Sequence, residues 1–365
     1  MHRACKLARR GEGFVEPNPM VGAVVANSDG MVLGEGWHKR FGSAHAEVHA
    51  LAMAGEAARD ATLFVTLEPC CHTGKTPPCT DAIVSAGIRR VVVAATDPFP
   101  AVSGKSISIL QQAGLQVDVG LLQHEAIRLT APFRMLTMAK RPWVIAKWAM
   151  TIDGYLTLPH ASTDDSGESH QYQWISSEVS RAIVHDLRRR VDAIVVGVQT
   201  AVADDPLLTA RPSGPRPLVR VVLDRQARLP VSSRLVQTAH EHPVLVAVGP
   251  RAAKDQVKQL QDNGCEIWHS STDQSSQMLI DLAHEFGARQ MTNVLLEGGA
   301  HVLESCFKAD IIDEVWAFLA PKLLDVNAPS LHLREILSKT RVEAIDQTGG
   351  DLFVRGLLRH DLLGR

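Results

Sequence analysis

Three short stretches of this 365-residue chain place metal-binding and proton-carrying side chains near one another: His45-Ala46-Glu47, Glu68-Pro69-Cys70-Cys71 and Pro77-Pro78-Cys79. An imidazole and two thiols suit zinc, and three protein ligands leave one tetrahedral position open for water. Zinc lowers the pKa of such a water toward neutrality, and a carboxylate that is not a ligand can then carry the proton. That chemistry removes an amine by hydrolysis, and its signature is H-x-E followed by P-C-x-x-C. The first two elements are present, whereas Cys70 and Cys79 have eight residues between them. Pro69 and Pro78 restrict the backbone before each cysteine. Thr80 onward reads as helix, so Cys79 falls near a helix N-terminus, which favours its thiolate. A structural site closed by a fourth protein ligand stays open on spacing alone, with Cys71 and His72 as the spare candidates. Positions i and i+2 do not share a helix face, so His45 and Glu47 can meet one metal only at a helix start.

These residues need a scaffold, and hydrophobic periodicity predicts one. Residues 2–10 read as a helix. Val21–Ala26 and Met31–Gly36 read as strands joined across Asp29-Gly30, a hairpin turn signal. His45–Ala58 is an alanine-rich helix, Thr62–Leu67 a strand, Thr80–Gly87 a helix with a glycine stop, and Arg90–Ala95 a buried strand. Ser106–Gly114 and Leu115–Val119 add a helix and a strand. Such alternation predicts a three-layer α/β sandwich. A second α/β unit with its own core is expected to begin near Arg141-Pro142, with domains of 1–139 and 140–365. Its strands are expected at Trp143–Trp148, Ala193–Gly197, Val219–Asp224, Val244–Val248, Val294–Glu297, Glu314–Leu319 and Leu352–Leu358. Ser176–Arg190 reads as a helix and 159–173 as a polar loop.

Bulk properties narrow the function. Hydrophobic residues make up 45% and charged residues 21%, so large cores can form. A net charge of -2 and 5% aromatics argue against nucleic-acid grooves and stacking platforms. No apolar run is long enough to span a bilayer, and Met1-His2-Arg3-Ala4 opens without a secretory h-region. The expectation is a cytoplasmic protein. Three of the six cysteines fall within ten residues, which suggests metal more than disulfides.

The run VTLEPCCHTGKTPPCTDA from Val65 to Ala82, with Pro17-Asn18-Pro19-Met20-Val21-Gly22 upstream and Asp97-Pro98 downstream, resembles the bifunctional deaminase/reductase family of riboflavin biosynthesis. Its long insert between the cysteines separates it from ordinary cytidine and tRNA adenosine deaminases. The resemblance implies a cytidine-deaminase-like sandwich with zinc ligands His45, Cys70 and Cys79, Glu47 as the catalytic proton shuttle, and pyrimidine contacts from Asn18 and His72. In the second half, Ala146–Gly154, Asp192–Thr200, Asp204–Arg211, Leu295–Gly299 and Ala320–Leu324 follow in the family's order. They imply a dihydrofolate-reductase-like domain that uses NADPH.

Physically, a strand ending at Glu297-Gly298-Gly299 and entering a helix leaves free N–H groups that a phosphate can approach. Arg188 and Arg211 suit a substrate phosphate, because guanidinium holds phosphate bidentately. The resemblance adds Lys147, Ser169, Leu208 and Glu297 at the substrate, with Lys147 polarising the sugar carbon that receives hydride. It lines the cofactor cleft with Met150, Trp174, Thr200, Asp204, Gly299, Ala300, His301, Val302, Leu303, Glu304 and Ser305. Arg225, directly after a strand, is placed to recognise the 2′-phosphate of NADPH. Either Ser169 or Tyr172 fills the family's serine position, because His170-Gln171-Tyr172-Gln173 intervenes before Trp174-Ile175. Phe99-Pro100 replaces the family's Asn-Pro, and Ser106 replaces a glycine.

The implied substrate is a diamino-ribosylamino-pyrimidinone 5′-phosphate. Water adds to the carbon bearing the 2-amino group, ammonia leaves, and NADPH then reduces C1′ of the ribose to open a ribityl chain. The family associates as dimers or tetramers. The competing readings are a deaminase whose second domain has lost reduction, a nucleic-acid-binding zinc protein, and a scaffold with structural zinc.

Overall fold

In the computed structural model the first apolar segments form α1 (His2–Ala8), β1 (Gly22–Ala26) and β2 (Val32–Trp37). The structure describes residues 1–73, 77–99, 102–156, 174–323 and 333–358. Gly30 turns the β1–β2 hairpin at φ 80°, a left-handed conformation that glycine adopts without steric cost. There follow α2 (Ala46–Ala54), β3 (Thr62–Leu67), α3 (Cys79–Ser85), β4 (Arg90–Ala95), α4 (Lys105–Gln112), β5 (Gln116–Val119), α5 (Gln123–Leu129) and α6 (Ala131–Ala139). The sheet order is β2-β1-β3-β4-β5, with β1 antiparallel to both neighbours and β3, β4 and β5 parallel.

Alternation along the strands separates two faces. Ala23, Val25, Leu63, Val65, Val91 and Val93 pack with Ala46, Ala50, Ile83 and Leu110 of α2, α3 and α4. On the other face Val24 meets Ala4 and Leu7 of α1, with Phe64 and Trp37 beside them, and Leu129 of α5 packs on Cys5 and Ala8. This is a three-layer sandwich. Two glycines let α2 lie directly on β2. A Cβ at Gly36 would stand 2.1 Å from the Ala46 carbonyl and 2.6 Å from the Ala50 nitrogen, and one at Gly34 would stand 2.2 Å from the Ala50 carbonyl.

The chain divides into two compact units, Met1–Pro142 with Gly287–Thr292, and Trp143–Phe286 with residues 293–358. The second contains β6 (Trp143–Thr151), α7 (Glu178–Arg188), β7 (Ala193–Gly197), α8 (Val198–Asp204), β8 (Val219–Leu223), α9 (Arg234–Gln237), β9 (Val244–Val248) and α10 (Lys254–Asp262). The chain goes on through β10 (Glu266–His269), α11 (Ser275–Ala288), β11 (Asn293–Leu296), α12 (Ala300–Lys308), β12 (Glu314–Ala320), α13 (Leu333–Lys339), β13 (Arg341–Thr348) and β14 (Asp351–Leu357).

Nine strands are ordered β10-β9-β8-β7-β11-β6-β12-β14-β13. The seven from β10 to β12 are parallel, and β14 runs antiparallel to β12 and β13. From β7 the chain steps outward to β10, then returns to insert β11 between β7 and β6. Strand order reverses there, and a reversal opens a crevice beyond the carboxyl ends of the strands. The sequence did not announce β10 or β13. Both are edge strands whose residues are largely exposed or half-buried, so neither has an apolar run. No helix among the described residues is long and apolar enough to cross a membrane.

Candidate active sites of the two units

His45 is the N-cap of α2, in extended conformation, and the helix begins at Ala46. The imidazole therefore leaves the helix axis while Glu47 sits in the first turn, which resolves the i, i+2 geometry. Cys70 lies just beyond β3, and Cys79 is the first residue of α3 after Pro78. His45 Nδ1 stands 3.2 Å from Cys79 Sγ and 3.5 Å from Cys70 Sγ, and the Cys79 amide donates to Cys70 Sγ at 3.4 Å. The three ligand atoms all lie within 4.8 Å of one another. Neither Cys71 nor His72 belongs to this group, the one of its kind among the described residues.

Electrostatics fit a dication. The hydrogen bond from Cys79 outweighs burial and, with one from His45, holds the Cys70 thiol well below the ordinary thiol range. That bond then opposes a second ionisation, and with burial and Glu47 nearby it pushes Cys79 upward. Two thiolates beside a carboxylate are stable together only around a cation. Glu47 is 3% exposed, its Oε2 has no hydrogen-bond partner, and burial raises its pKa. A buried carboxyl with a raised pKa can both take and give a proton.

Around this core, Asn18 Nδ2 is 3.3 Å from Nε2 of the buried His38. His38 Nδ1 meets the Ala44 carbonyl at 3.2 Å, and its ring stands edge-on to His45 at 5.4 Å. Sequence reasoning missed His38, because a histidine following a strand carries no pattern. It also left Glu68 without a role. Its buried Oε2 accepts from the Asp97 and Gly104 amides at 3.2 and 3.1 Å, tying the loop after β4 to the metal-binding turn. His72 is exposed, and its ring is 6.2 Å from Phe99.

In the second unit, Glu297 follows β11 and receives Arg188 Nε and Nη2 at 2.6 and 2.8 Å. Lys147 Nζ, from β6, lies 3.7 Å from Glu297 Oε2. Burial opposes the Glu297 charge, but Arg188 and Lys147 outweigh it and hold the carboxyl below its ordinary range. Burial lowers the Lys147 pKa. Burial and the nearby Arg188 and Arg211 also lower that of His185 on α7, so cationic side chains gather here. Leu208 is buried with φ 53°.

The cofactor candidates spread along the crevice. Gly299 is the N-cap of α12, and its amide donates to Thr200 Oγ1 at 3.3 Å. Val302 packs where Gly197 and Gly298 lack side chains. Ala300 and His301 open the helix, with Glu304 and Ser305 further along it. Leu303 is fully buried, so its side chain is not presented to the crevice. Asp204 ends α8, and Met150 is buried in β6. Trp174 is 65% exposed, with the Arg181 guanidinium 5.2 Å above its ring and Lys322 Nζ donating to its carbonyl at 2.6 Å. Arg225 lies beyond β8 and donates to Ser275 Oγ at 3.0 Å. Ser169 and Tyr172 lie outside the described residues.

Hydrolytic amine removal calls for what the first sandwich brings together, and the switch-point crevice of the parallel sheet suits a dinucleotide-dependent reduction. The class is a zinc-dependent deaminase joined to a reductase. Residues 1–95 match the cytidine and deoxycytidylate deaminase zinc-binding region, and residues 142–353 match the RibD C-terminal domain. The chain is 38% identical to the riboflavin biosynthesis protein RibD of Aquifex aeolicus over 97% of this chain and 96% of that one. It is 36% identical to the Escherichia coli protein of that name, over 91% and 89%. It is similar to the structure of Acinetobacter baumannii RibD at TM-score 0.80 and 32% identity, covering 98% of both chains. A diaminohydroxyphosphoribosylaminopyrimidine deaminase/5-amino-6-(5-phosphoribosylamino)uracil reductase from Thermotoga maritima aligns at TM-score 0.76 and 33% identity, over 98% and 97%. The chain belongs to the RibD family of riboflavin biosynthesis proteins and is a bifunctional deaminase and reductase.

Proposed function

We propose that the first unit deaminates 2,5-diamino-6-(5-phosphoribosylamino)pyrimidin-4(3H)-one and that the second reduces the product with NADPH. The observation that carries the reading is the three-ligand group of His45, Cys70 and Cys79 with the buried Glu47 carboxyl beside it, its Oε2 without a partner. Zinc held by those three residues supplies Lewis acidity that activates a water. Glu47 takes one proton from the attacking water as its oxygen adds to the ring carbon and gives it to the ring nitrogen. It then takes the second proton from the added hydroxyl and gives it to the amine, which leaves as ammonia as the carbonyl forms. Asn18, braced by His38, and His72 are assigned to the pyrimidine.

In the second unit Arg211 and Leu208 bind the phosphorylated chain. Arg188 adds its charge there while its own fork is engaged by Glu297 rather than held bidentate on the phosphate, and Ser169 is assigned there by family likeness alone. Lys147, held by Glu297, polarises C1′ of the ribose as it accepts hydride from NADPH. The ring oxygen gains a proton, and the sugar opens to the ribityl form. Met150, Trp174, Thr200, Asp204 and the start of α12 from Gly299 to Ser305 hold the dinucleotide, and Arg225 reads its 2′-phosphate. The protein works in the cytoplasm, in keeping with its free cysteines. Copies associate as dimers or tetramers, and the edge strand β13, which exposes Val342 and Ile345, supports this.

The test is one reaction followed by mass spectrometry, containing purified protein, zinc, NADPH and the diamino substrate. A gain of about one mass unit marks deamination, with the NADPH-dependent gain of two hydrogens following it. No deaminated product would refute the first half, and deamination without reduction would refute the second.

A further inference from the structure

Arg220 lies on β8 and is fully buried; its Nε has no partner, and its two terminal nitrogens carry all its hydrogen bonds. Its guanidinium donates to the Leu235 carbonyl at 3.3 Å, the Thr238 carbonyl at 3.1 Å, Thr238 Oγ1 at 2.8 Å and the His242 carbonyl. These acceptors lie in α9 and the turn that follows it. One further bond leads elsewhere, from Nη1 to the Leu207 carbonyl at 3.1 Å. The next residue, Leu208, holds a φ of 53°, a conformation leucine seldom takes unless its surroundings enforce it. Beyond Leu208, the Thr209 carbonyl accepts from Arg188 Nη1 at 3.4 Å, the same guanidinium that clasps Glu297. The carbonyls just before and just after Leu208 are thus each tied to a guanidinium, one from beneath the loop and one from the crevice.

The geometry points to Arg220 as a positioning residue for the reduction. It holds the 204–211 loop in the single backbone conformation that presents Leu208 and Arg211 to the phosphorylated substrate. The inference rests on the reading of Leu208 and Arg211 as substrate contacts. A purely structural arginine would affect stability alone, whereas a positioning one acts on the substrate's KM and spares the cofactor's.

The test uses the full chain with zinc. Arg220→Lys keeps the charge but replaces a planar fork with a point donor that cannot serve both α9 and Leu207. The expected result is a rise of about tenfold in KM for 5-amino-6-(5-phosphoribosylamino)uracil, with kcat and the KM for NADPH within about twofold. Should that variant fail to fold, Asp205→Ala loosens the same loop from outside, because Asp205 Oδ1 accepts the Arg234 amide at 2.8 Å. The same selective rise is expected. An unchanged substrate KM in the folded variant, or an equal loss in kcat and both KM values, overturns the inference. Arg211→Ala runs in parallel. If it raises the substrate KM and the loop variants do not, only the role of Arg220 falls. If it too leaves KM unchanged, the substrate reading falls with it.

Discussion

Glu47 shows how burial makes a proton carrier of an ordinary carboxylate. A group excluded from water, with one oxygen left without a partner, is costly when ionised, so it exchanges its proton readily with a reacting water. Glu47→Gln keeps the shape and removes the proton. Deamination should fall by about 10³-fold or more, within the range of general acid–base effects, while elemental analysis still finds zinc and NADPH consumption on deaminated substrate is unchanged. Parallel loss of zinc would mean that Glu47 is structural. Asp97 provides a pH signature in the same unit. Burial and the neighbouring Glu68 raise its pKa from 3.8 to about 6. The folded state then prefers the neutral acid, so its contribution is fully present below pH 3.8 and is lost as pH rises through about 6. Relative to Asp97→Asn, the parent should lose roughly 3 kcal/mol across that window, read by urea denaturation at stepped pH. A difference that does not change with pH would refute it. In the second unit, Glu297→Ala leaves Arg188 and Lys147 facing each other without a counter-charge. A loss of about 3–5 kcal/mol in the stability of that unit is expected, and calorimetry would show it as a lowered transition.

At the scale of elements, the metal site depends on how closely α2 lies on β2. His45 caps that helix and Glu47 stands in its first turn, so any displacement of the helix separates both from the cysteines at the ends of β3 and α3. Gly36→Ala drives a methyl group against the Ala46 carbonyl, where a Cβ would have only 2.1 Å. Overpacking of this kind costs about 1–3 kcal/mol. Zinc affinity, measured by competition with a chromophoric chelator, should fall by about tenfold or more, with NADPH oxidation intact. Normal zinc affinity in Gly36→Ala would mean that the helix position does not control the site. The spacing of the glycines was visible in the sequence, but the helix above them was not. Gly34 and Gly36 alternate along a strand, and nothing local says what packs there.

At the scale of the whole molecule, each unit has its own sheet and core, and the metal ligands all lie in the first. Chelation should abolish deamination while leaving reduction of the deaminated pyrimidine at its original rate. If both activities decayed together on the same time course, zinc would be supporting the whole chain and not one site. Most central strands were legible because they are short, apolar and bounded by turn residues. Thr62–Leu67, Arg90–Ala95, Ala193–Gly197 and Val244–Val248 appear at the expected bounds. The edge strands β10 and β13 were not legible, since a strand with one free side needs no continuous apolar run.

The sequence alone determined the chemistry of the first unit, because a metal site needs particular ligand types and those types stand in an ordered, rarely repeated pattern. It also determined the alternation of strands and helices, which follows from local periodicity. Only the tertiary structure decided that Cys71 and His72 stay out of the ligand group, that His38 braces Asn18, and that Arg188, Lys147 and Glu297 meet from three separate elements. Those facts depend on which strands become neighbours. Strand order is set by the packing of whole faces, and no residue records it by itself.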